Sequence, residues 1–432
     1  MNNKRTKGEN VYQLVQKRLK FLFNEFDNIY VSFSGGKDSG VLLNLCIQYI
    51  REHNLDRKIG VYHMDYEAQY QMTTEYVEQT FRENQDILEI YHVCVPFKVV
   101  TCASMFQTYW RPWDESMHAH WVRPMPKNCY KKEDFPFYNE EMWDYTFQTS
   151  FASWYHKKHD AVRTCCLVGI RTQESLDRWR TIHGNNRLNS YHNLMWTRRL
   201  GYDLYNAYPI YDWTTEDIWT AYARFKWPFN QMYELYYKAG VPLDRRVASP
   251  FLSTAQETLK LYKAIDPNTW GRMLGRVNGV NFTGIYGGTR AMGWQNIKLP
   301  EGYTWKEYMY FLLDTLPEET KQSYLEKLRV SREFWKYKGG CLDLSTIRKL
   351  TDLGIKFYVQ KKTNYKTDKL PVQMDYLDDI DIAEFKEIPT YKRMCICILK
   401  NDHVCKYMGF ALTKKEKLRR DRVMQKYKNI IK

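Results

Sequence analysis

The 432-residue sequence contains no run of about 18 consecutive apolar residues, so no stretch of it reads as a helix that spans a bilayer. Met1 to Asn10 is polar and basic and leads into an amphipathic segment, which is not the profile of a secretory leader. No internal repeat or low-complexity tract is present, which excludes solenoids and fibrous chains. The ten cysteines are too few for a disulfide framework in a chain of this length, and no C-x-x-C occurs. A cytoplasmic protein with reduced thiols and no membrane partner is the expectation. Acidic residues are also in deficit: 65 Lys plus Arg against 50 Asp plus Glu leave +15. That excess points to a polyanionic partner such as a nucleotide or nucleic acid, and says nothing about fold.

What is present is a βα rhythm. Val11, Leu14, Val15, Leu19, Leu22, Phe23 and Phe26 recur at helical spacing, Ile29–Phe33 reads as a strand, and Val41, Leu42, Leu45, Cys46, Tyr49 and Ile50 form a second helical face. Ile59–Met64, Ile87–Val95 and Thr164–Val168 read as further strands, and Ala207–Tyr211 as a fifth. Thr214 with Asp217 signals the next helix start. Strands alternating with helices imply parallel βαβ units, hence an α/β fold with a doubly wound five-stranded parallel sheet. An insertion at about 97–160 interrupts it. Residues 1–250 make a nucleotide-binding domain on this reading, 251–340 a mostly helical one, and 341–432 a small C-terminal α+β unit in which RMCICILKNDHVCKYMGF reads as a hairpin.

Ser34, Gly35, Gly36, Lys37, Asp38 and Ser39 stand where a strand ends and a helix begins, the place where such sheets bind ligands. The two glycines let amides converge on an anion, the helix start adds its dipole, and Lys37 and the serines add donors. The loop is neither GxxxxGK[ST] nor GxGxxG. Asp65 ends the neighbouring strand and lines the same crevice, where a carboxylate suits magnesium or a ribose hydroxyl. His63, Asp65 and Glu67 alternate and would face one way if that strand continued. Gly169 and Arg171, in GIRTQES, end the fourth strand, and a guanidinium there can fork onto phosphate or sulfate.

SGGKDS resembles the PP-loop of the ATP pyrophosphatase superfamily, which implies an adenine nucleotide alpha hydrolase-like fold. GIRTQES, with Gly169, Arg171 and Ser175, is similar to the GxRxxxS motif of phosphoadenosine phosphosulfate (PAPS) reductases. The segment carrying Pro209, Trp213, Asn230, Leu235, Tyr236 and Gly240 resembles theirs too. Within that family HMDYEAQY, WVRPMP and the KNDH tail look most like the immunoglobulin-binding regulator A type subgroup, whose members are often paired with a ParB-like protein. The resemblance implies an enzyme that binds ATP, or a related adenine nucleotide such as PAPS, with PP-loop chemistry at the α-phosphate of ATP, adenylylating an acceptor and releasing pyrophosphate. Ser34, Gly35, Gly36, Lys37, Asp38, Ser39, Asp65, Gly169 and Arg171 would bind the nucleotide. Lys37, Asp38, Asp65 and Arg171 would be the catalytic residues, with Asp38 and Asp65 on Mg2+.

Two alternatives stay open. One is a nucleotide-sensing or nucleic-acid-binding regulator with a non-reactive loop. Its nucleic acid would meet the insertion, where His118, His120, Arg123, Lys127, Lys131 and Lys132 mix with Tyr109, Trp110, Trp113 and Trp121, and the basic run Lys414–Lys432. Those aromatics fit a buried core equally well. The other alternative is sulfur transfer to nucleic acid, or sulfonucleotide reduction, which needs a thiol at Cys129, Cys341 or Cys405. The reductases' C-terminal cysteine motif is missing, which argues against reduction. Cys165 and Cys166 read as core residues. Cys395, Cys397, His403 and Cys405 match none of the usual zinc spacings, so neither zinc nor an iron–sulfur cluster is expected. Gly287, Gly288, Thr289 and Arg290 read as a turn.

Overall fold

A computed structural model describes residues 8–174, 176–183, 189–241, 246, 251, 258–286, 297–360 and 369–408. Ser175, the Gly287–Arg290 turn and the Lys414–Lys432 run lie outside the described residues. The chain forms two compact units, each assembled from separated stretches. Unit 1 holds residues 1–99, 111–250 and 261–276, and unit 2 holds residues 100–110, 251–260 and 277–432.

The amphipathic start of the chain is α1 (Val11–Glu25), closed by reciprocal hydrogen bonds between Asn10 and Gln13. Then follow β1 (Asn28–Ser32), α2 (Lys37–Glu52), β2 (Ile59–Met64), α3 (Gln71–Glu83) and β3 (Leu88–Val93). After the short strands β4 (Val99–Val100) and β5 (Tyr109–Trp110) come α4 (Asp144–Lys158), β6 (Thr164–Val168), α5 (Leu176–His183), β7 (Thr197–Gly201), β8 (Leu204–Ala207), α6 (Thr215–Phe225), α7 (Met232–Lys238), α8 (Tyr262–Ile265) and α9 (Pro267–Arg276).

The sheet of unit 1 has the order β3-β2-β1-β6-β8-β7. The first five strands are parallel and β7 pairs antiparallel with β8. Alternation along β1 sends Ile29, Val31 and Phe33 into a core shared with α1, α2, α3 and α6. Tyr30 points the other way, into an aromatic layer with Tyr62, Phe151 and Tyr155 from α4. Helices therefore cover both faces, as expected for a doubly wound sheet.

Three expectations change. The fifth parallel strand is Leu204–Ala207, not Ala207–Tyr211. Pro209 has no N–H to give a ladder, and the residues after Ala207 close into turns through Tyr211 N to Tyr208 O and Trp213 N to Ile210 O. The antiparallel partner β7, joined to it by the two-residue turn Tyr202–Asp203, is a sixth strand beyond the expected five. In the tail, Tyr391–Leu399 is a helix and not the first arm of a hairpin.

Unit 2 contains α10 (Val280–Tyr286), α11 (Trp305–Asp314), α12 (Glu318–Tyr337), β9 (Gly340–Leu342), α13 (Leu344–Asp352), β10 (Phe357–Val359), β11 (Leu370–Met374) and α14 (Tyr391–Leu399). Its core joins Met309 and Leu313 of α11, Tyr324 and Leu328 of α12, and Met394, Cys395, Cys397 and Ile398 of α14. Burial all round α14 explains why its short apolar run imitates a strand in sequence. A three-stranded antiparallel sheet, β10-β11-β9, carries a second cluster around Leu350 and Val372. Among the described residues no helix is long and apolar enough to cross a membrane.

Candidate functional site

The loops after β1, β2 and β6 emerge at the carboxyl edge of the parallel sheet, where the topology opens a crevice. The loop after β1 is held from all sides. Gly35 takes φ +73, and a Cβ on it would sit 2.9 Å from Thr73 Cγ2 and from Val77 Cγ2. Ser34 and Ser39 share a hydrogen bond between hydroxyls at 3.0 Å, and Ser34 Oγ accepts from Gly36 N at 3.3 Å. Asn230 donates to Gly35 O at 3.0 Å and to Thr73 Oγ1 at 2.9 Å, and the Tyr222 hydroxyl donates to Lys37 O at 2.8 Å. Gly36 starts α2 with no side-chain cap. The first amides of that helix are thus positioned to receive an anion.

Three charged side chains meet behind the loop. Lys37 Nζ lies 2.7 Å from Asp38 Oδ2, and Arg171 Nε lies 2.6 Å from Asp38 Oδ1. Arg171 is only 2% exposed, and its Nη1 has longer contacts to Gln173 Oε1, Trp213 O and Thr215 Oγ1. Burial by itself would raise the Asp38 pKa, but Lys37 and Arg171 outweigh it and hold the carboxyl below its ordinary range. Lys37 also sits 5.4 Å from the centre of the Tyr233 ring. Gly169 allows a close approach of backbone to backbone: a Cβ there would lie 2.9 Å from Ser39 N and 3.0 Å from Asp38 O.

Asp65 belongs to a separate network. Its Oδ2 accepts from His92 Nε2 at 2.8 Å and is paired with Arg123, while its Oδ1 accepts from Glu67 N at 2.9 Å. Burial opposes its charge, yet Arg123 and His92 more than compensate and keep it well below the usual carboxylate range. His63, whose ring nitrogen contacts Phe33 O at 2.7 Å, is pushed down to about 4 by burial with His92 beside it. His63, Asp65 and His92 bring one ligand atom each within 4.8 Å of one another. The Arg123 guanidinium on Asp65 already supplies the positive charge that a metal would bring.

The structure brings Ser34, Gly35, Gly36, Lys37, Asp38, Ser39, Gly169 and Arg171 together. It gives Asp38 and Asp65 different cationic partners. Every oxygen of both carboxylates already accepts a hydrogen bond, so a magnesium ion on either would compete with those donors. The alternation of His63, Asp65 and Glu67 is broken, because β2 stops at Met64 and Glu67 turns at φ +60. Fully buried Glu67 instead receives Arg276 Nε at 2.8 Å, Arg276 Nη2 at 3.0 Å and the amides of Trp113 and Val122. Sequence reasoning passed over Tyr222, His92 and Arg276. The register His63↔His92 is the signal for His92, whereas nothing local marks Arg276. In the insertion, Trp110 and Trp113 are core residues, and Arg123 lies over Trp113 at 4.9 Å. Those tryptophans are not a stacking surface for a single strand.

Comparison with known proteins divides the chain into two consecutive regions. Residues 28–239 match the model of the phosphoadenosine phosphosulfate reductase domain, and residues 240–419 match a domain of unknown function (DUF3440). Over 418 residues the chain is 32% identical to the uncharacterized protein YbdN of Escherichia coli (strain K12), covering 95% of this chain and 93% of that one. The chain belongs to the YbdN family.

Among solved structures, the chain is similar to a Candida glabrata FMN adenylyltransferase crystallised with FMN and an ATP analogue. There the TM-score is 0.31 and the identity 15%, over 52% of this chain and 58% of that one, so less than two thirds of that enzyme is spanned. A PAPS reductase from Candida auris gives a TM-score of 0.29 at 14% identity, over 54% of this chain and 94% of that one. The U34-tRNA thiolase NcsA of Methanococcus maripaludis gives 0.31 at 10% identity, over 65% and 85%. The candidate site from Ser34 to Asn230 lies inside the PAPS reductase-like domain, while Arg276 is contributed by the second matched region.

Proposed function

We propose that unit 1 binds ATP, or a related adenine nucleotide such as PAPS, on the Ser34–Ser39 loop, and that the protein is an enzyme acting at the α-phosphate. With ATP, a nucleophilic oxygen of the acceptor forms a bond to the α-phosphorus, the bond from that phosphorus to the α,β-bridging oxygen breaks, and pyrophosphate leaves with the acceptor adenylylated. The observation that carries this reading is the start of α2: Gly35 at positive φ, amides without a side-chain cap, and Lys37 beside them with its charge shared by one carboxylate.

The geometry suggests how the loop works. Lys37 leaves Asp38 to meet the incoming phosphates, and Arg171 stays on Asp38 so that the buried carboxylate is never left without a cation. Arg171 then acts as a positioning residue. Loop amides and Lys37 neutralise the charge that grows on the departing pyrophosphate. Magnesium carried in with the nucleotide supplies further charge neutralisation. Such catalysis is positioning and electrostatics, and needs no protein nucleophile.

Pyrophosphate release from ATP, measured with and without panels of small-molecule and nucleic-acid acceptors, tests the reading. Lys37→Ala is expected to lower the release rate by about 100-fold, the usual cost of losing one transition-state donor. Wild-type protein that binds ATP well and releases no pyrophosphate with any acceptor would make the loop a sensor and sink the enzymatic proposal.

A further inference from the structure

Away from the PP-loop, a cavity of about 730 Å³ opens between α3, β3 and the insertion, lined in part by Arg82, His92, Asn128, Cys129 and Tyr130. The insertion reaches it by continuing the sheet for one bridge. Tyr130 N donates to His92 O at 2.7 Å, Cys94 N donates to Tyr130 O at 2.8 Å, and Val93 and Tyr130 pair in parallel. In that register the side chains of His92, Cys94 and Cys129 share one face. Cys94 is buried and Cys129 is partly exposed at the cavity wall, and each thiol lies near enough to shift the ionisation of the other.

We propose that Cys129 and Cys94 form a thiol–disulfide exchange site, in which Cys129 attacks a low-molecular-weight disulfide bound in this cavity and Cys94 resolves the product. In the first step the Cys129 sulfur bonds to one sulfur of the disulfide, whose S–S bond breaks, and one small thiolate leaves. In the second, the Cys94 sulfur bonds to Cys129, displaces the second small thiol and passes on its proton. The protein dithiol is oxidised to a disulfide and the small disulfide is reduced to two thiols, so the electrons balance.

The electrostatics favour that order. The Cys94 thiol, with His92 and Lys131 nearby, lowers the Cys129 pKa to about 7 against the opposing effects of burial and Asp65. Burial and the neighbouring Cys129 push Cys94 the other way, so it keeps its proton until the mixed disulfide forms. Near neutral pH about half of Cys129 is thiolate, against a few per cent for an ordinary thiol. Its lower basicity takes back part of that gain and leaves a net rate advantage of about threefold.

Full-length protein is incubated with oxidised glutathione at neutral pH, and its cysteines are mapped by peptide mass spectrometry. The expected products are a Cys94–Cys129 disulfide and two glutathione thiols per chain. The Cys94→Ala and Cys94→Ser variants should stop at glutathione held on Cys129, and Cys129→Ser should leave Cys94 unmodified. Cys341, the other partly exposed cysteine, is the internal control and should react more slowly than Cys129. The proposal is overturned if Cys341 reacts as fast as Cys129, if wild type accumulates the mixed disulfide without resolving it, or if neither cysteine is modified.

Discussion

Gly169→Ala should disturb the loop without touching a charged group. A Cβ at that position lies 2.9 Å from Ser39 N and 3.0 Å from the carbonyl carbon and oxygen of Asp38, well inside the roughly 3.5–4.0 Å at which non-bonded atoms settle. All three obstacles are backbone, so no rotamer change relieves them, and either the turn after β6 or the start of α2 must give way. Overpacking of this kind costs about 1–3 kcal/mol. At about 2 kcal/mol, and about 2–4 °C per kcal/mol for a domain of this size, the Tm falls by about 4–8 °C. The displaced atoms include an amide at the start of α2, so ATP affinity should fall by about tenfold, equivalent to about 1.4 kcal/mol. Thermal unfolding with and without ATP reads both effects. Gly271→Ala is the matched control, since it lies inside α9 with nothing within 4 Å of the new Cβ, and should leave Tm unchanged or raise it through helix propensity. If Gly169→Ala matches wild type in both Tm and ATP affinity, the proposed close packing of the turn on α2 is wrong.

Other perturbations read other parts of unit 1. Arg276→Met removes both side-chain donors to a fully buried Glu67 and should cost about 3–5 kcal/mol in urea unfolding, while Glu67→Gln with Arg276→Met should recover part of that loss. Asn230→Ala deprives Gly35 O and Thr73 Oγ1 of a buried donor and should cost about 1–3 kcal/mol, with weaker nucleotide binding measured by calorimetry. Asp144 is raised to about 6, mainly by burial and against hydrogen bonds from Tyr145 N and the Tyr66 hydroxyl. A carboxyl raised on folding binds more protons in the folded state, so its contribution falls as pH rises from about 4 to about 6 and stays low above that. Asp144→Asn should therefore stabilise the protein by about 1–2 kcal/mol at pH 7 and by little at pH 4, a moderate figure because the residue is only partly buried. Chemical denaturation at the two pH values checks the sign.

The βα order of unit 1 was legible because its strands are short apolar runs bounded by turn residues and its helices carry clean faces. The loop residues Ser34–Ser39 and the Gly169–Arg171 turn followed from the ends of those strands. What could not be read locally was pairing. TRRLGYDLYNA hides a hairpin because its arms carry Arg198, Arg199 and Asn206 rather than an apolar alternation. RMCICIL is apolar enough for either a strand or a helix, and packing against α11 decides it. Asp65 was located at the correct strand end, but its partners His92 and Arg123 lie 27 and 58 residues along the chain. Long-range cations of this kind decide whether a carboxylate is available to a ligand.

The interleaving of the two units bears on how the chain is made. Unit 1 is not complete until residue 276 has been synthesised, by which time residues 100–110 and 251–260 of unit 2 have already appeared. Glu67 must wait 209 residues for Arg276. A fragment ending at the boundary between the two matched family regions would leave that carboxylate without its guanidinium. Neither unit corresponds to one continuous segment that a protease could release intact or a gene fusion could transplant. A single cut in the chain that removes unit 2 would therefore strand a piece of unit 1.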